Sequence, residues 1–513
     1  MNVKVIQKRE NITTPVFLLG TAVNISDHEF FRQLDKADKE YITLFVKKSK
    51  GEGEFSYSVF LPSGNQVLLV GIKTKRILTF RNSVIAMRRV IALAKKEKVK
   101  EITVNFSDFV PAPPAGRQEK KSDEEALAEL MASQFELANF EFTKYKTPPK
   151  EGWNVVQQAL IYADLTQTDA EKIKESLRRG KIIGEEINKA RMLSNTPGGD
   201  MTPARLAEAA AKAGKTCGFQ VRILKEDQIR KLGMGGVLGV SKGSAERPRF
   251  IVMEYMKGKK SDKPIVLVGK GVTFDTGGLN LKPDQSIYEM HMDMSGGAAV
   301  IHTIAALARL KVKKNIVGLI PAVENMPSGS SYHPGDVLRT MNGKTIEVLN
   351  TDAEGRVILA DALEYSKKYK PRLVIDIATL TGSAMSALGQ RASAIFTTDV
   401  KLEKALRETG EKTGDYVWPL PLWEEFEEEI KGTFGDFANI GKTRYGGAIT
   451  GAVFLWQFIK SDMRHAKRDK GNKEIPWVHI DIAPRMTAVE GEFLAKGAAG
   501  ASIGLLAKFL REF

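Results

Sequence analysis

The chain has a single cysteine, Cys217, in 513 residues. No intramolecular disulfide can form, and a reducing compartment is expected. Cys217 itself reads as buried packing rather than as a nucleophile. Histidine is nearly as scarce, with six. His28, His302, His333, His465 and His479 share no metal-ligand spacing, so a histidine-built metal centre is not expected. His479, in WVHIDIA, reads as a sheet residue with its polar atoms satisfied. No window approaches the roughly 18 uninterrupted apolar residues of a membrane span. The opening MNVKVIQKRENITT has no apolar h-region, so a secretory signal is not expected. No internal repeat, low-complexity tract, helix-turn-helix or zinc-finger pattern is visible. These absences predict a cytoplasmic protein with no membrane partner.

What is present is length, apolar content and positive charge. A chain of 513 residues calls for two or more domains, and 42% apolar residues supply large cores. The net charge of +15 permits nucleic acid or another anionic partner without requiring one. Residues 1–165 read as a small α/β domain. YITLFV, QVLLVGI and EITVNF read as strands, and SVIAMRRVIALAKK reads as a helix between the last two. The proline- and charge-rich segment Val110–Ala126 reads as a loop leading to a helix. Residues 166–195 form one long helical run, expected to connect two domains. Thr202 is expected to cap the next helix, with Pro203 at its first position.

Residues 196–513 alternate short apolar runs with helical patterns. RFIVMEY, PIVLVGKG, NIVGLIPAV, RLVIDIA and WVHIDIA read as buried strands, and GGAAVIHTIAALARL as a helix. The predicted class is α/β, with a sheet flanked by helices. Open sheets of this kind bind ligands beyond the carboxyl ends of their strands. Lys270 and the run Thr379 to Gly382 stand at such ends. GMGGVLGVSKGS matches a dinucleotide loop only loosely, because charged helical sequence precedes it rather than a strand.

Two stretches carry chemistry. LNTDAEGRVILADAL places Asp352, Glu354 and Arg356 at alternate positions beside a glycine. A charged helix start would explain that pattern. So would a site holding cations with two carboxylates and an anion with a guanidinium. VGKGVTFDTGGLNLKPDQSIYEMHMDMSGG sets Lys270, Asp275, Lys282 and Asp293 among glycines. Four carboxylates gathered in one crevice repel unless cations neutralise them. Two divalent ions about 3.5–4 Å apart, bridged by a carboxylate, would do so. Oxygen-rich ligation suits Mg, Mn or Zn. FDTGG also matches an aspartic-protease loop, but that mechanism needs a second such aspartate, and no second copy exists.

Together the stretches resemble the leucyl aminopeptidase family, the cytosolic dinuclear metallo-exopeptidases. NTDAEGR is similar to its signature; GKGVTFDTGG, LKP, MDMSGG and ATLTG match its other segments in order and spacing, across roughly residues 180 to 510. The resemblance implies a smaller N-terminal α/β (macrodomain-like) domain and a C-terminal catalytic domain with a central mixed sheet flanked by helices. It implies that Asp275 and Glu354 bridge two metals, that Lys270 and Asp293 complete one, and that Asp352 completes the other. Mn2+ or Zn2+ is expected there, with Mg2+ or Co2+ as substitutes. Lys282 would polarise the scissile carbonyl and steady the oxyanion. Arg356 would hold a bicarbonate as general base. Thr379, Leu380 and Gly382 would line the substrate site, with Met290 in the side-chain pocket. His291, two residues before Asp293, is not an expected ligand.

The resemblance further implies removal of N-terminal residues, leucine by preference, from peptides with a free N-terminus, by a homohexamer serving intracellular peptide turnover. A second reading, DNA binding as in some bacterial relatives, ranks below it.

Overall fold

The computed structural model describes residues 1–7, 12–20, 25–49, 54–72, 79–110, 121–460 and 474–513. His465 and most of the Val110–Ala126 segment lie outside the described residues. The chain divides into two compact units. One comprises Met1–Asn188, Glu411–Gly414 and Ala488–Lys496; the other comprises Lys189–Gly410, Asp415–Thr487 and Gly497–Phe513.

The first unit is built on β1 (Asn2–Ile6), β2 (Pro15–Gly20), β3 (Ser56–Phe60), β4 (Gln66–Ile72), β5 (Glu101–Asn105) and β6 (Gln158–Tyr162). Their order is β1-β6-β5-β2-β4-β3, parallel apart from the antiparallel β3–β4 pair. Strand alternation distributes side chains to two cores. Val16 and Leu18 join the cluster of helices Phe80–Lys96 and Lys121–Asn139, while Phe17 and Leu19 join one with Ile42 and Val46. YITLFV is not a strand. It lies in helix Lys36–Ser49, whose buried positions Asp38, Ile42 and Val46 are four apart, while Tyr41 and Leu44 are exposed. Helical spacing of two apolar anchors outweighs the β-propensity of the run.

The second unit carries β7 (Gln220–Leu224), β8 (Arg249–Met256), β9 (Ile265–Gly269), β10 (Gly271–Asp275), β11 (Asn315–Asn325), β12 (Val337–Arg339), β13 (Thr345–Glu347), β14 (Leu373–Ala378), β15 (Ser393–Phe396), β16 (Val417–Pro419), β17 (Phe437–Ala438) and β18 (Trp477–Asp481). The main sheet is mixed, in the order β16-β15-β18-β14-β9-β11-β8-β7, with β10 beside β11. Strands β18, β14, β9 and β11 run parallel at its centre, and β8 and β15 run against them. β9, β14 and β18 are buried along their whole length; β9 reads as an unbroken apolar run, while β14 and β18 carry buried Asp376, His479 and Asp481 among apolar residues. Thr202 Oγ1 accepts from Arg205 N–H at 3.4 Å, capping helix Pro203–Cys217, and Gly218 closes that helix at φ 83°. Cys217 is half-buried, not buried as read from sequence, because it sits in that helix's last turn.

Two close fits fix the central layers. Helix Ser295–Arg309 begins against β14; a Cβ on Gly296 would stand 2.1 Å from Ile377 O, so the approach requires glycine. Fully buried Asp361, on helix Glu354–Ser366, accepts from Met341 N–H at 2.8 Å and Val237 N–H at 3.0 Å, with Gly236 N–H adding a third bond. Burial pushes its carboxyl up to about 7 against those bonds. The folded value exceeds the unfolded one, so this group favours folding below the unfolded value and loses that contribution as pH rises toward 7. Asp361→Ala should cost about 2–5 kcal/mol in urea unfolding, because three buried donors lose their acceptor. Asp361→Asn, which cannot ionise, should flatten the fall of stability between about pH 4 and 7; an unchanged profile would count against this assignment.

Candidate metal centre

The central parallel strands deliver the singled-out residues to their carboxyl ends. Lys270 follows β9, Asp275 ends β10, and Thr379 to Gly382 follow β14. Glu354 opens helix Glu354–Ser366, and Asp293 ends a short turn of 3-10 helix just before helix Ser295–Arg309. The charged-helix-start pattern and the site pattern are therefore both present: Glu354 lies where the helix's N-terminal partial charge favours an anion.

Oxygens of Asp275, Asp293 and Glu354 all lie within 4.8 Å of one another, and all three residues are buried. Lys270 Nζ stands 2.8 Å from Asp293 Oδ2 and 2.8 Å from Glu354 Oε1, and donates to Thr379 O at 2.9 Å. Lys282 Nζ stands 2.9 Å from Asp275 Oδ2 and 2.5 Å from Asp352 Oδ1. Asp352 thus joins the cluster through Lys282 rather than through the three-carboxylate core. Thr379 Oγ1 donates to Asp293 Oδ1 at 2.6 Å.

The electrostatics are those of crowded, dehydrated anions. Burial, then the neighbouring Glu354, pushes Asp275 up to about 6. The same two causes raise Asp352, and they raise Asp293 well above the ordinary carboxylate range. Burial alone would lower the two lysines and raise Glu354, but mutual attraction wins. Both ammonium groups are held above the usual lysine value, and Glu354 falls below the usual glutamate value. Four carboxylates face two lysines here, and the deficit is one of positive charge. Among the described residues, Asp293 Oδ2, Asp352 Oδ1 and both Glu354 oxygens are buried with no aligned hydrogen bond, even where an ammonium is within ion-pair distance. Oxygens in that state fit a hard divalent cation, and a lysine nitrogen could join them only as the neutral amine.

Arg356 is buried; its Nη1 donates to Asn439 O at 3.0 Å, and its Nε has no hydrogen-bond partner among the described residues. Leu380 N–H donates to Asp481 Oδ1 at 3.0 Å. Gly382 starts helix Gly382–Leu388, and a Cβ there would meet nothing within 4 Å. Met290 packs against Met292, Met486 and Ala498. His291 is half-buried, and burial lowers its pKa.

Sequence reading missed the groups that hold these residues. Asn325, at the end of β11, donates to Asp275 Oδ1 at 2.8 Å and to Thr351 O at 2.9 Å. Asn439 Oδ1 accepts from Leu349 N–H at 2.8 Å, and its Nδ2 donates to Asn350 O at 2.6 Å. The rule that ligands bind at carboxyl ends of parallel strands could have found Asn325. Asn439 lies in a loop and gave no signal.

Fold and cluster together place a candidate metal site at the carboxyl ends of an α/β sheet. The profile described as "Cytosol aminopeptidase family, catalytic domain" matches residues 188–507. A "Probable cytosol aminopeptidase" from Methylobacillus flagellatus is 37% identical over 93% of this chain and 92% of its own length. A second, from Syntrophotalea carbinolica, is 36% identical over 98% and 97%. The solved bottromycin maturation enzyme BotP in complex with Mn superposes with a TM-score of 0.78 at 27% identity, covering 100% of this chain and 99% of that one. The chain belongs to the cytosol aminopeptidase family, whose members are dinuclear, metal-dependent aminopeptidases.

Gly355 gives a local test. A Cβ there would stand 2.5 Å from Lys270 Cε and 2.7 Å from its Nζ. Gly355→Ala should push Lys270 aside and lower metal content measured by elemental analysis, with circular dichroism unchanged; full retention of metal would show that Lys270 is not needed to hold it.

Proposed function

We propose that the protein removes N-terminal residues, with leucine and similar apolar side chains preferred, from peptides bearing a free N-terminus. The observation that carries this reading is the buried set of four carboxylates and two lysines, with more anionic oxygen than its amines can satisfy. Asp275 and Glu354 would bridge two divalent cations, with Lys270 and Asp293 completing one site and Asp352 the other. Manganese or zinc suits the donors, with Mg2+ or Co2+ as substitutes; the Mn found with BotP supports the former. Bound there, the cations supply an activated water and an electrophile for the scissile carbonyl.

The chain's own groups do the rest. Lys282 donates to the oxyanion as it forms, from a position fixed beforehand. The Arg356 fork, whose Nε has no hydrogen-bond partner among the described residues, suits a planar oxyanion; it would hold a bicarbonate, which would supply a general base. Thr379, Leu380 and Gly382 line the side of the substrate, and Met290 with its apolar neighbours receives the first side chain. We assign these steps to a catalytic domain of residues 196–513, with residues 1–165 a separate α/β domain and 166–195 the connecting helix. The assembly is proposed to be a cytoplasmic homohexamer acting in peptide turnover.

A panel of amino-acyl amides, with and without chelator, tests the reading. Leucyl amide should be cleaved, EDTA should abolish turnover, and added Mn2+ should restore it. N-acetylation of the substrate should eliminate cleavage; continued hydrolysis of the blocked substrate would contradict exopeptidase chemistry. Lys282→Ala should lower kcat about a hundredfold or more with metal content intact; loss of metal instead would reassign Lys282 to the ligand set.

A further inference from the structure

Below the metal centre, on β14 and β18, lies a second set of buried polar groups that the chemistry above does not use. The two strands pair in parallel, with Asp376 opposite His479 and Ala378 opposite Asp481. Registered partners of parallel strands share a face, and alternate residues along a strand do too. Asp376, Trp477, His479 and Asp481 therefore line one face, and Asp376, His479 and Asp481 have no exposed surface. Asp376 Oδ2 accepts from Trp477 Nε1–H at 2.7 Å, and its Oδ1 is 2.5 Å from His479 Nδ1. The His479 ring is stacked against Phe396 at 5.6 Å and Trp477 at 6.3 Å, which holds its plane.

One pleat nearer the site, Asp481 gathers three donors. Its Oδ1 accepts from Leu380 N–H at 3.0 Å and Ala483 N–H at 3.0 Å; its Oδ2 accepts from the Thr381 hydroxyl at 2.6 Å. Thr381 Oγ1 in turn accepts from Ala384 N–H at 3.1 Å, capping helix Gly382–Leu388. The four residues Thr379 to Gly382 are thus held from two sides. Lys270 and Asp293 hold Thr379 from the metal centre, and Asp481 holds Leu380 and Thr381 from the sheet. Asp481 is also a counter-charge for buried Arg356, which burial pulls down and Glu354 and Asp481 pull up.

We propose that Asp481, seated on the Asp376–His479–Trp477 layer, is a positioning residue for the reaction: through Leu380 N–H and the Thr381 hydroxyl it sets the wall of Leu380 and Gly382 that the substrate's first residue meets. This inference rests on the aminopeptidase reading, and its reach is the strand end rather than the cations. A carboxylate oxygen shared by two backbone N–H groups fixes the Leu380 peptide plane more tightly than either bond alone. Displacing that wall by a fraction of an ångström would misalign the scissile bond without touching a metal ligand.

Two variants separate positioning from mere folding. Asp481→Ala removes all three acceptor contacts. Asp481→Asn keeps an oxygen for the two backbone donors and can turn its amide toward Thr381 Oγ1, which has a lone pair free to accept. With leucyl amide as substrate and Mn2+ supplied, Asp481→Ala should raise KM and lower kcat/KM by roughly tenfold to a hundredfold. Its metal content and circular dichroism should match the parent. Asp481→Asn should recover most of the KM. Parent-like KM in Asp481→Ala, or a loss explained wholly by missing metal or unfolding, overturns the proposal. So does an Asp481→Asn variant as impaired as the alanine. If the parent protein shows no metal-dependent release of leucine, the aminopeptidase reading fails first, and that outcome is read before any variant is compared.

Discussion

Confinement of like charge is the constraint on which the second unit's architecture turns. Asp275, Asp293 and Glu354 are buried within a few ångströms of one another, where water cannot screen them. An unpaired buried carboxylate is strongly unfavourable, and three together are more so. The fold offsets this with short, aimed contacts: two ammonium groups, the Asn325 amide, the Gly277 N–H, the Thr379 hydroxyl and a helix N-terminus. Among the described residues, these contacts still leave carboxylate oxygens without aligned partners. A site that is almost but not fully neutralised is stable enough to fold and still attracts cations.

Holding such a site open against its own repulsion takes rigid supports. The side chains come from strand ends and helix starts anchored in a core whose central strands have no exposed side chains. Glycines let those supports touch. Gly296 seats the helix after Asp293 directly on β14, and Gly355 leaves room for the Lys270 stem. At Gly296 the missing side chain lets backbone meet backbone, and at Gly355 it lets the Lys270 stem lie against the start of the Glu354 helix.

Much of this was legible in the sequence, and the reason is physical. β9, β11, β14 and β18 read as strands because burial on both faces writes short, mostly apolar runs. The charged residues stood out because they interrupt such runs next to glycine. YITLFV was misread because a short apolar run does not distinguish strand from helix; only the tertiary packing of Ile42 and Val46 decides it. The sequence likewise suggested which charged residues gather, but not how. It did not show that Asp352 reaches the cluster through Lys282, or that Asn325 and Asn439 hold the segments in place. Those are single side-chain hydrogen bonds between positions tens of residues apart, and no local pattern encodes them.

Asp481 and Asp293 show how one functional group acquires two characters in one unit. Both are buried aspartates within reach of the Thr379–Gly382 strand end. Asp293 faces other carboxylates, which with burial hold its proton affinity high and leave one oxygen without an aligned partner. Asp481 faces donors only, two backbone N–H groups and a hydroxyl, so each of its oxygens has a fixed partner. A carboxylate with unspent acceptor capacity suits a cation. One whose two oxygens both already accept fixed bonds has less to offer a ligand, and what it gives instead is geometry. The same strand end therefore meets a chemical boundary on one side and a mechanical one on the other.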